Sequence, residues 1–186
     1  TANNGSITAN SGVTAIDLSG TGTNILTATG GDINLAPVTD SANVTELQLI
    51  GEDITLGTVT LNNGTPTLNI DLDGAGDDGA RTLTLNGNLD VNNLTIKGVG
   101  GEDIISHSAN ITSDSALDLS TNVDSITLAA NSVLEVASGG TNAAVALADV
   151  TGDFNLIVTG DTGASGSAIT LDGADVNALT LTGGVL

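Results

Sequence analysis

The sequence predicts an all-β chain wound as a parallel β-helix, or β-solenoid, on three observations. Short runs with Leu, Ile or Val at every second position recur from one end to the other. Gly and Asn punctuate them, with 25 Gly in 186 residues. Aromatic side chains are nearly missing: Phe154 stands alone, without any Trp or Tyr. Period-two alternation puts aliphatic side chains on one face of a strand and polar ones on the other. A chain of 18.1 kDa is long enough for one domain, 1–186, with a continuous core. A compact globule of that size fills its centre partly with rings. Leu, Ile, Val and Ala alone suit a thin interior, such as that of stacked coils.

The elements follow in order. TAIDLSG (14–20), GDINLAP (31–37), TELQLIG (45–51) and EDITLGTVTLNNG (52–64) open the series. TLNIDLDG (67–74), RTLTLNGNLDVNNLTIKG (81–98), SALDLST (115–121) and DSITLAAN (124–131) continue it, and FNLIVTG (154–160), SAITLDG (167–173) and NALTLTGG (177–184) close it. Most place Thr, Asn or Asp between aliphatics. Thr, Val and Ile suit strands, whereas Gly and Asn supply turns that need positive φ. NAAVALAD (142–149) scans both as a short helix and as a strand.

GGDINL, GEDITL, GGEDII and TGDFNL recur near Gly31, Gly51, Gly101 and Gly152, which suggests coils of about twenty residues or more with turns of variable length. No strict period accompanies them. A β-sandwich that polymerises by donating a terminal strand is the alternative, since it also gives alternation and frequent turns.

Charge narrows the partners. There are 22 acidic residues against Arg81 and Lys97, a formal net charge of −20. Such a surface repels nucleic acid and anionic lipid, attracts divalent cations and resists aggregation by self-repulsion. No apolar run is long enough to span a bilayer. Without Cys there are no disulfides and no thiolate metal sites. The chain starts at Thr1 without a charged-then-apolar leader, so the expectation is an export signal removed or lying upstream, and a processed chain or a segment of a longer one.

The stretch NIDLDGAGDDGARTL (69–83) holds the densest chemistry. GAGDDG (74–79) fits the letters of a dinucleotide-binding turn, but such a turn must open a helix facing the pyrophosphate. Here a strand pattern follows, and Asp77 and Asp78 stand where phosphate would approach. Calcium fits better. Asp71, Asp73, Asp77 and Asp78 could form an oxygen cage, because hard cations accept carboxylate, carbonyl and water in varied geometry. An EF-hand is excluded, since Ala75 and Thr82 occupy ligand positions. The competing reading is an acidic hairpin or inter-coil turn, with Asn69, Asp71 and Asp73 in solvent, Leu68, Ile70 and Leu72 inward, and Arg81 partly neutralising the cluster. Glu52–Asp53 and Glu102–Asp103 follow Gly and precede strands, so they read first as turn residues. No cofactor other than calcium is implied.

Catalysis is not expected. His107 is the only His, so a His-based metal site is excluded and a Ser-His-Asp triad would depend on that residue. Carboxylates can pair for acid–base work, but two cations and no aromatic platform make a glycan-cleaving groove hard to build. Asn-x-Thr/Ser triplets at Asn4, Asn43, Asn63, Asn93 and Asn110 are what an Asn- and Thr-rich composition produces by chance.

GSITANSGVTAIDLSG, GGDINLAP and GEDITLGTVTLNNG resemble passenger segments of secreted bacterial filamentous-haemagglutinin-like adhesins and autotransporters. The resemblance is compositional and runs over most of the chain. It implies a right-handed β-helix displayed outside the cell, with adhesive or structural duty. The Asn-Pro-Asn-Gly type secretion signature of such adhesins is missing, which implies an interior part of a larger protein or a shorter relative. The expected function is therefore an extracellular or cell-surface filament, sheath or adhesin segment that self-associates head to tail. A calcium-dependent adhesin module is the alternative, and a glycan-active β-helix enzyme a third reading. The expected partner is a second copy, with any cell-surface or glycan ligand left open.

Overall fold

The computed structural model describes residues 2–3, 5–9, 12–73, 80–98, 103–106, 109–136, 143–161 and 168–183. β1 (Ala2–Asn3), β2 (Ile7–Thr8) and β3 (Ile16–Leu18) form the first round of the chain. β4 (Gly22–Thr29), β5 (Ile33–Leu35) and β6 (Val38–Asp40) form the second, and β7 (Val44–Ile50), β8 (Ile54–Leu56) and β9 (Val59–Leu61) the third. Next come β10 (Thr67–Asp71), β11 (Thr82–Leu85) and β12 (Leu89–Val91), then β13 (Asn93–Lys97), β14 (Asp103–Ser106) and β15 (Ile111–Ser113). β16 (Leu117–Leu119), β17 (Ser125–Leu128) and β18 (Ser132–Val136) follow. The last rounds are β19 (Val145–Leu147) with β20 (Asp149–Thr159), and β21 (Ile169–Leu171) with β22 (Ala174–Thr182).

Strands three apart pair in parallel through most of the stack, and because β20 spans two faces the pairs β18–β20, β19–β21 and β20–β22 are two apart. β2, β5, β8, β11, β14, β17 and β20 build one face, and β3, β6, β9, β12, β15 and β18 another. β1, β4, β7, β10 and β13 line the remaining face, which β16, β19 and β21 continue as a separate ladder. Parallel pairing between successive rounds makes this a β-solenoid, all-β among the described residues, and excludes the antiparallel sandwich. The 142–149 ambiguity resolves as strand, since Val145–Leu147 stacks between β16 and β21. No helix among the described residues is long and apolar enough to cross a membrane.

Alternation becomes columns. Ile33, Ile54, Leu83 and Ile104 stack inward on one face, with Ile126 and Val150 above them. All six are nearly inaccessible and belong to one aliphatic core. Equal-sized aliphatics on a parallel ladder, roughly 4.7–4.9 Å apart, fill a narrow interior without rings, which is why Phe154 is enough. Backbone close approach fixes some corners. A Cβ on Gly87 would lie 2.4 Å from the Thr58 nitrogen of the round below.

Round length varies at the corners. Ile33 pairs with Ile54, Ile54 with Leu83, and Leu83 with Ile104; the long step contains the acidic segment 74–79. GGDINL and GEDITL are therefore in register. TGDFNL is not: the counterpart of Asp32 and Asp53 in that round is Asp149, beside Val150, whereas Asp153 lies further along β20.

Candidate functional site

The polar positions at the corners mostly serve the fold. Ser6 Oγ accepts from the Asp32 N–H at 3.1 Å, Asp32 Oδ1 from the Asp53 N–H at 3.4 Å, and Asp53 Oδ1 from the Thr82 N–H at 2.8 Å. Each side chain thus satisfies an amide in the round above, where the corner interrupts the ladder. Asn does the same at the next corner. Asn88 Oδ1 accepts from the Asn110 N–H, Asn110 Oδ1 from the Val133 N–H, and Asn131 Oδ1 from the Asn155 N–H, at 2.9–3.0 Å. At the third corner the carboxylate of Asp40, only 7 % exposed, accepts from the N–H groups of Asn62 and Asn63. Glu52, the neighbour of Asp53, pairs with Arg81 at 3.6 Å.

Two of the four candidate calcium ligands are described. Asp71 ends β10, and its Oδ1 accepts from the Asp73 N–H at 3.1 Å, closing a local turn. Lys97 lies directly beside Asp71 in the ladder. Asp73 Oδ1 is enclosed without a hydrogen-bond partner. Asp77 and Asp78, like Glu102 and His107, lie outside the described residues. Among the described residues no three His, Cys, Asp or Glu side chains converge as a metal cage. The described part of the segment offers two carboxylates, one engaged in a turn and next to a cation. β10 and β11 occupy different faces and do not pair, so they are not the two arms of a hairpin. Leu68, Ile70 and Leu72 point inward as expected. Asn69 does not sit in solvent: it is 7 % exposed, and its Nδ2 donates to Glu46 Oε1 at 2.8 Å.

The two ends of the stack carry a different kind of chemistry. At the base, β1, β2 and β3 are each paired on one side only. A mouth of about 270 Å³ opens there into the core, lined by Ile7, Ile16, Leu18, Leu26, Leu35 and Leu47. β1 covers only Ala28 and Thr29 of β4. At the top, β21 and β22 are likewise paired on one side. Ile169, Leu171, Val176 and Leu181 are only partly buried against the core, and Leu179, stacked on the buried Leu156, is 39 % exposed. Comparison of the chain with protein-family models, with curated proteins and with solved structures finds no match. Both ends present the same elements: a parallel strand edge and aliphatic side chains on inward columns, without a polar cap among the described residues.

The corner ladders were hidden from sequence reasoning, which treated Asp53 and the Asn residues as turn formers and gave Asp32 no role. The signal that could have exposed them is the recurrence of Asp before Ile in GGDINL and GEDITL, read as a column.

Proposed function

We propose that the chain is a structural segment of an extracellular filament or sheath, extended by end-to-end seating of solenoids, and that it has no catalytic role. The pair of open, matching ends carries this reading. A parallel edge offers N–H and C=O groups to any strand of the same pleat, and seating one end on another would bury the half-exposed aliphatics of both. Each such side chain contributes up to about 1.5–3 kcal/mol on full burial. The high acidic charge and the resemblance to secreted adhesin passengers support an extracellular setting. Sedimentation of the purified protein against Leu179→Lys, which places a charge on the top face, tests the reading. The parent is expected to grow with concentration while the variant stays small. A parent that remains monodisperse across salt and calcium conditions would sink the reading.

Calcium bridging is a second reading, favoured by the enclosed, unpartnered oxygen of Asp73. In it, the cation joins Asp71, Asp73, Asp77 and Asp78 and stiffens the segment or links it to a ligand. Calorimetry with calcium decides it: heat in the parent and none in Asp73→Ala supports it, and no heat in the parent removes it.

A further inference from the structure

The face that begins with β1, β4, β7, β10 and β13 is broken once. β13 ends the lower ladder and β16 begins the upper one, with no pairing between them among the described residues. Asp118 explains the break. Higher on the same face, the Ala148 N–H bonds the Leu119 carbonyl and the Asp172 N–H bonds the Leu147 carbonyl. The corresponding donor below is Ser120 N–H, and it turns onto Asp118 Oδ1 at 3.0 Å, joined by the Ser120 hydroxyl and the Thr121 N–H. A local side-chain acceptor has displaced a ladder bond. The Ile96 carbonyl receives Asn122 Nδ2 at 3.5 Å instead. Asn122 adopts φ 62° to reach it, the one positive φ outside Gly among the described residues. Irregularity of this kind in a regular scaffold is where function concentrates.

The break opens a cleft of about 250 Å³. The exposed Thr95, Lys97, Asp118, Thr121 and Asn122 line it, at the strand edge beside the core-facing Leu94 and Ile96. We propose that this cleft binds a single neutral hexose ring. Partial burial works against the Asp118 charge, but the N–H groups of Thr121 and Ser120 and their hydroxyls outweigh it, holding its pKa below the ordinary value. The group is thus a fixed anion; three of its bonds, from the Ser120 N–H, the Ser120 hydroxyl and the Thr121 N–H, fall on Oδ1, and the Thr121 hydroxyl is a fourth donor. Lys97 donates, the Asp118 carboxylate accepts, and the Thr95 hydroxyl does either. Sugar hydroxyls both donate and accept, so one ring can satisfy such a mixed set. A phosphate or uronate would approach against a net charge of −20, and a free cation would meet Lys97. The volume lies below the roughly 300–1,000 Å³ of pockets that bury drug-sized ligands, and one ring is enough to occupy it.

The inference is independent of end-to-end assembly, because the cleft lies on the flank. Saturation-transfer NMR with the methyl glycosides of glucose, galactose, mannose and N-acetylglucosamine tests it, and it works on monomer or polymer. At least one glycoside is expected to bind, and its affinity to fall about tenfold in both Lys97→Ala and Asp118→Asn. Lys97 is exposed, so its variant keeps the fold even if Asp118→Asn does not. No transfer to any of the four, or binding unchanged in Lys97→Ala, would overturn the proposal. Filament growth should be the same in Lys97→Ala and the parent, which separates the two readings.

Discussion

Asn110 shows how a single side chain holds two rounds together. Its N–H donates to Asn88 below, and its Oδ1 accepts from Val133 above. Removing that acceptor in Asn110→Ala strands an amide at a corner, and stability should fall by about 1 kcal/mol, read as a lower urea midpoint at constant slope. Asp118 makes a pH prediction. Its folded pKa is lowered, so its contribution is present above the unfolded value and is lost as pH falls through the folded one. Asp118→Ala should therefore be less stable than the parent at neutral pH, with the gap closing below the ordinary aspartate range near pH 4. Acid–urea titrations of both proteins check this; a gap that persists unchanged at low pH would contradict it. Residue roles of this kind were the least legible in the sequence. Asp53 and Asn110 are small polar residues next to strands, and only the register between rounds distinguishes a ladder member from a turn former.

At the scale of elements, alternation was a sufficient guide, because every inward column repeats the period of two. Leu68, Ile70 and Leu72 were readable as inward from that pattern alone. What could not be read was where one round ends. The Ile54 to Leu83 step is longer than the steps on either side of it, so a fixed period never emerges. β20 adds a second difficulty by running around a corner as one strand of 11 residues. Its register with β22 shifts between Gly152 and Asn155, and TGDFNL falls on that irregularity, which is why it mimics GEDITL without occupying its place. Gly152 enables the turn, with φ 131° and a Cβ position 2.5 Å from the Leu128 carbonyl oxygen. Gly152→Ala should cost about 2 kcal/mol or more, measured by thermal or urea unfolding. A neutral substitution would mean that the corner is not constrained by this contact.

For the molecule as a whole, each round contacts chiefly its neighbours, so stability accumulates along the stack. The ends are then both the weakest coils and the places where another coil adds most. The charge acts against that addition, because copies of net charge −20 repel one another until salt screens them over a Debye length of about 10 Å at 0.1 M. Under the proposed end-to-end assembly, acidity would set its conditions and the aliphatic columns its geometry. The composition announced both, since alternating aliphatics without rings need a thin stack, while the open mouth at Ile7, Ile16 and Leu18 required the three-dimensional arrangement to be seen. Cryo-electron microscopy of the purified protein at neutral pH, with added salt, tests the central claim most directly. The account predicts unbranched filaments whose axial layer line lies at roughly 4.7–4.9 Å, with solenoids joined end to end. Discrete single particles at every salt and calcium concentration, or filaments of beads without that repeat, would contradict it.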